Sequence, residues 1–150
     1  MIDNKKTADI ENALSVLRDK GFKVTPQRRA VLAALSEGGQ FCSAQIVLEI
    51  IRSVQPDVSL DTVYRNLNIF KEIGVVHEIV KPGGNVYEII TAGHHHHHLI
   101  CTECGKMECI DICPMNNLYE KEAENRGFLI TGHVFEFYGL CRSCQRKQDK

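Results

Sequence analysis

Between residues 10 and 73, apolar positions recur at helical spacing, and each run stops at a residue that does not continue a helix. Ile10, Ala13, Leu14 and Leu17 lie on one face and end before Gly21, a residue that adopts a left-handed helix stop without steric cost. Thr25-Pro26 has the form of an N-cap followed by proline at the first helical position, and Val31, Leu32 and Leu35 supply the buried stripe up to Gly38-Gly39. Ser43 caps a third run, with Ile46, Val47, Ile50, Ile51 and Val54 on one side, which Gln55-Pro56-Asp57 breaks. Ser59 caps a fourth, in which Val63, Leu67, Phe70 and Ile73 face inward before Gly74. The third and fourth runs, joined by a short turn, have the shape of a helix-turn-helix.

The period then changes from 3.6 to two. "VVHEIV", the turn "KPGGN" and "VYEII" predict a hairpin, because both arms are rich in strand formers. Helices followed by a two-stranded wing make a winged helix, assigned to residues 1–91, with a hinge at Thr91-Ala92-Gly93. Residues 92–150 read as a second domain of mixed character. "HHHHHLIC" and "MECID" are strands around the knuckle "CTECGK", residues 117–126 are a polar helix ending at Gly127, and "FLITGHVFEFYGLC" is a long strand. The expected class is α+β, an N-terminal winged helix-turn-helix domain followed by a C-terminal α/β domain.

Composition narrows the chemistry. The 150 residues, 43% of them apolar, suffice for two small cores. No apolar run approaches a membrane span or a signal peptide, so a cytoplasmic protein without membrane contact is expected. There a disulfide framework from seven cysteines is disfavoured, and metal ligation takes its place. The net charge is −1, and eleven Lys/Arg against eleven Asp/Glu in residues 1–90 leave any DNA binding to a local patch.

Cys101-x-x-Cys104 and Cys141-x-x-Cys144 each supply half of a tetrahedral zinc site, and four thiolates close it to substrate. The two pairs are too far apart for a compact zinc ribbon, so the metal must staple strands separated by a helix. The five histidines are internal and run without a linker into a strand, which does not suit a tag. In an extended segment His94, His96 and His98 share one face while His95 and His97 share the other, so one run can serve two sites. His133 is the expected partner of His95 and His97. His77 and Glu88, on the two arms of the wing, are expected to join His96 and His98, with Cys109 a further candidate whose sulfur would favour zinc over harder ions. Taken singly, His77 reads equally as a surface histidine and Glu88 as a solvated carboxylate, and Cys42 and Cys113 read as small apolar side chains.

On the fourth helix, Thr62, Tyr64, Arg65 and Asn66 project from the first turns, where a recognition helix meets base edges. Lys20, Lys23, Arg28 and Arg29 would flank it as phosphate or minor-groove contacts. A solvated helix face is the bland alternative. An open-site zinc hydrolase or deaminase is disfavoured, because the H-x-E and P-C-x-x-C elements of a deaminase do not occur in that arrangement. A plain zinc buffer would leave the fourth helix unexplained.

"VTPQRRAVL", "SLDTVYRNL", "HHHHHLICTECGK", "GHVFEFYGLC" and the closing Cys-x-x-Cys, in this order, resemble the Fur family of metal-responsive bacterial repressors over about residues 10–144. The resemblance implies a homodimer that binds a palindromic operator on double-stranded DNA and represses metal-homeostasis genes when a corepressor metal is bound. It implies base contacts from Tyr64 and Arg65, structural zinc on Cys101, Cys104, Cys141 and Cys144, a sensory site with His96, His98 and Glu88, and a secondary site with His95, His97 and His133. "FCSAQ" and "CPM" look more like the zinc-sensing branch than the iron or peroxide branches, so Zn2+ is the expected corepressor, with Fe2+ or Mn2+ as the alternative and an iron-, manganese- or peroxide-sensing member of the same family as the rival reading. The chain departs from the family pattern at Phe41-Cys42, where iron and peroxide members carry a histidine. It also has Ile90 near the position of a zinc-branch cysteine, and Asn116 where a carboxylate is usual.

Overall fold

The computed structural model describes residues 4–91 and 95–148; Ala92 and Gly93 of the expected hinge, and His94, lie outside them. The chain forms two compact units, 1–94 and 95–150.

The first unit holds α1 (Asn4–Asp19), α2 (Pro26–Glu37), α3 (Ala44–Arg52), α4 (Leu60–Glu72), β1 (Val76–Ile79) and β2 (Val86–Ile89). Three of the helices start at the expected caps. Thr25, Ser43 and Ser59 accept hydrogen bonds from the backbone N–H groups of Arg28, Ile46 and Thr62, which satisfies donors that a helix start otherwise leaves open. Strands β1 and β2 pair antiparallel, with His77 opposite Glu88. Their turn contains Gly83 and Gly84 at φ +88° and +113°, a backbone region that side chains rarely tolerate. Cys42 extends the wing by one residue, exchanging backbone hydrogen bonds with Tyr87.

Nineteen buried residues from all four helices and the wing form one apolar core, with Leu14, Leu32, Leu67 and Phe70 fully enclosed. Two expected core positions are not in it. Val54 is 80% exposed because α3 stops at Arg52, and Ile46 is 42% exposed at the outer edge of the first turn of α3. Cys42 is buried, burial pushes its thiol up, and it packs as an apolar side chain. A Cβ on Gly38 would come within 2.4 Å of its sulfur, so the α2 stop and Cys42 require each other.

The second unit holds β3 (His97–Cys101), β4 (Met107–Ile110), α5 (Asn117–Asn125), β5 (Glu136–Gly139) and α6 (Arg142–Gln148). Its sheet has the order β4-β3-β5, with β3 antiparallel to β4 and parallel to β5. A parallel neighbour needs a crossover, and α5 supplies it. The long strand expected over 128–141 is only four residues, Glu136–Gly139, because just that part finds a partner on β3. Helix α6, which starts within the second cysteine pair, is an element the sequence pattern did not reveal.

Candidate metal centres and the exposed helix

The parallel pairing of β3 with β5 sets Cys101 beside Gly139, and so brings the two cysteine pairs together at one end of the sheet. The sulfurs of Cys101, Cys104, Cys141 and Cys144 lie within 4.8 Å of one another, with Cys104 Sγ 3.7 Å from Cys141 Sγ. A tetrahedral zinc with Zn–S bonds of ~2.3 Å requires S···S edges of about 3.8 Å. None of the seven cysteines forms a disulfide. The backbone N–H groups of Cys104 and then Cys141 point at Cys101 and hold its thiol down to about 6, whereas the Cys141 side chain, then burial, push Cys144 up to about 12. Four clustered sulfurs repel as thiolates until a dication neutralises them, and this donor set fits zinc.

The histidine run divides as the strand period requires. His96 and His98 lie on one side, their rings 5.1 Å apart, and Cys109 on β4 stands directly opposite His98; the ligand atoms of all three cluster within 4.8 Å. On the first unit, His77 and Glu88 face each other across the wing, and Gln40 Nε2 donates to Glu88 Oε1 at 3.0 Å.

The other face gathers His95, His97 and His133, and with them Cys113. His95 Nε2 and His133 Nε2 are 2.9 Å apart, and Cys113 Sγ lies 3.4 Å from the first and 3.2 Å from the second. His97 is 2% exposed and its Nε2 has no hydrogen-bond partner, while its Nδ1 meets the Phe135 N–H at 3.4 Å. Burial and then the neighbouring histidines hold His97 below the usual imidazole value, which keeps it in the neutral form that binds metal. A buried ring nitrogen without a partner is a position an ion fills. Reading Cys113 as an apolar side chain missed this. Its sequence signals, the "CPM" likeness to the zinc-sensing branch and a proline directly after it that breaks regular structure, say nothing about where that loop closes.

On α4, Tyr64 is 39% exposed and the Arg65 side chain extends into solvent, with Nη2 2.8 Å from Asp61. Thr62 is half-buried and its hydroxyl shares a hydrogen bond with Ser59. Asn66 does not project as expected: it is buried and its amide donates to the Thr62 carbonyl, because position 66 falls on the same helical face as Val63 and Phe70. Lys23 is exposed. Arg28 is half-buried, stacked over the Phe22 ring at 5.4 Å with Nη1 donating to the Lys23 carbonyl, so it organises the turn between α1 and α2. Among the described residues, no helix is long and apolar enough to cross a membrane.

The model of the ferric uptake regulator family matches residues 19–138. The ferric uptake regulation protein of Staphylococcus aureus is 34% identical over 134 residues, 89% of this chain and 96% of that one. The ferric uptake regulator of Helicobacter pylori, whose structure is described as having three functional metal-binding sites, superposes with a TM-score of 0.70 at 25% identity over 93% of both chains. A zinc uptake regulator complexed with zinc and DNA superposes with a TM-score of 0.65 at 25% identity, covering 99% of this chain and 100% of the other.

Proposed function

As this chain belongs to the ferric uptake regulator family, whose members are metal-responsive transcriptional regulators and not enzymes, we propose that it is a zinc-responsive repressor of metal-homeostasis genes that binds a palindromic operator as a homodimer. The observation that carries the zinc reading is Cys109 beside His98: a thiolate next to the candidate sensory histidines favours Zn2+ over the oxygen-preferring Fe2+ and Mn2+. His96, His98 and Cys109, with His77 and Glu88 from the wing, form the proposed sensory set. In the homodimer the two winged helices meet the two major-groove half-sites of the palindrome. Zinc that tightens DNA binding must itself be tightened by DNA to the same factor.

Tyr64 and Arg65 are the proposed base-reading pair, with Thr62 and Lys23 beside them on the backbone and Arg28 holding the turn that presents Lys23. Apolar side chains left in water on the second unit, among them Leu118, Phe128, Leu129, Val134 and Phe137, support the homodimer, since a partner copy removes such surface from solvent.

A second reading, the same regulator responding to Fe2+ or Mn2+, is favoured by the names of its relatives and by the Glu88 carboxylate. Fluorescence anisotropy on DNA from upstream of the protein's own gene and of neighbouring transporter genes separates the two, with free Zn2+, Fe2+ and Mn2+ buffered separately and non-specific DNA present as competitor. Competitor-resistant binding driven by Zn2+ alone is the expected outcome. The same binding at lower free Fe2+ or Mn2+ establishes the second reading instead.

A further inference from the structure

We propose that Cys113 is a metal ligand and that, with His95, His97 and His133, it closes a four-coordinate site of three nitrogens and one sulfur on the second unit, which selects zinc over iron and manganese. The site is separate from the four-cysteine centre and from the sensory set, and the proposal stands whichever metal acts as corepressor.

Three observations converge on Cys113. Its sulfur is 3.2 and 3.4 Å from two imidazole nitrogens, close to the N···S edge of about 3.5 Å that Zn–N bonds of ~2.0–2.1 Å and a Zn–S bond of ~2.3 Å impose on a tetrahedron. Its loop turns the sulfur inward, with the Met115 N–H donating to it at 3.4 Å. The residue three positions on, Asn116, is already committed: its side chain caps α5 by accepting from Leu118 N–H at 3.0 Å. The fourth corner therefore falls to a thiolate, and among the described residues no carboxylate belongs to the cluster. The two shortest nitrogen and sulfur separations, and the buried His97 Nε2, all tighten around one point when an ion takes it. Metal on His97 Nε2 moves the ring proton to Nδ1 and gives up the Phe135 contact, which at 3.4 Å is weak.

This donor set suits Zn2+, whereas Fe2+ and Mn2+ prefer oxygen and a higher coordination number. Four protein ligands also leave no open position, so the site holds structure and performs no hydrolysis. The ligands come from the start of β3, the connection from β4 to α5 and the connection from α5 to β5. Helix α5 buries none of its side chains, so the ion is what fastens both of its flanking loops to the sheet.

The test uses the full-length protein with its four-cysteine site kept loaded with zinc. Iodoacetamide labelling, read by peptide mass, should alkylate Cys113 in protein stripped of the other metals and slow at least about tenfold on adding further Zn2+, with Mn2+ giving no protection. His133→Gln should abolish that protection while Cys109 stays protected. In a Cys109→Ser background, Co2+ should give a thiolate-to-cobalt charge-transfer band that Cys113→Ser removes. Cys113→Asp, which keeps a ligand but makes it oxygen, should narrow the preference for Zn2+ over Mn2+ by at least about tenfold. Equal labelling of Cys113 with and without zinc, or a charge-transfer band that persists in the Cys109→Ser, Cys113→Ser protein, overturns the proposal.

Discussion

The two units reach a defined structure by different means. The first encloses nineteen buried residues in one apolar core drawn from four helices and a wing. In the second, among the described residues, the buried apolar side chains are Ile100 and the cysteines Cys101 and Cys144, and the other buried side chains are those of His97 and His98. A unit of that size cannot offset the conformational entropy of ordering its chain by burying so little apolar surface, and small domains in this position are held by metals or by a partner copy. The difference teaches where regulation can act. The first unit owes its fold to an apolar core that needs no ion to form. If its candidate clusters are loaded as proposed, the second is held together by ligation and its structure reports on metal supply.

This contrast can be broken most forcefully at the four-cysteine centre. Cys101→Ser removes one ligand of a site whose zinc carries about 10–16 kcal/mol in comparable small domains, so the second unit should unfold and self-association should be lost. Circular dichroism should still show the helices of the first unit melting cooperatively. Simultaneous melting of both units would mean that they are not independent. Next in size is the converse experiment. Phe70→Ala opens a cavity in the first unit and should cost about 3–5 kcal/mol by denaturant titration, while the zinc content of the second unit is unchanged.

A smaller effect separates surface from core in the first unit. Arg65→Ala should lower operator affinity by about 1–3 kcal/mol in anisotropy titrations, with a melting temperature close to that of the parent, because the side chain is exposed and its ion pair with Asp61 is solvated. The smallest concerns the link between α4 and the wing. Glu78 accepts hydrogen bonds from Lys71, Asn85 and Tyr87, and the Lys71 ammonium holds its carboxyl below the usual range. A depressed carboxyl contributes stability above its ordinary value and loses it as pH falls through the depressed one. Glu78→Gln should therefore cost about 1 kcal/mol at neutral pH, and the gap to the parent should close as the pH drops below about 4.5.

What could be read in advance follows the range of the interaction responsible. The caps Thr25, Ser43 and Ser59, the turn at Gly83-Gly84 and the sorting of His95 and His97 from His96 and His98 all follow from contacts within a few residues, or from the period of two of a strand. Spacing alone also paired Cys101 with Cys104 and Cys141 with Cys144, since a Cys-x-x-Cys doublet can offer two ligands locally. Asn66 was misplaced by a single helical position, because a polar residue on the inner face satisfies itself through the Thr62 carbonyl, a contact that composition does not announce.

The amino-acid sequence by itself determined the helices, the wing and the identity of the metal-binding residue types, because propensity, capping and periodicity are local. Only the tertiary structure decided which of those residues meet. The parallel register of β3 with β5 brings residues 101 and 141 into one site, and the return of two irregular loops brings Cys113 to His95 and His133. Such contacts span 18 to 40 residues and are set by strand register and loop closure, neither of which leaves a periodic mark on the chain.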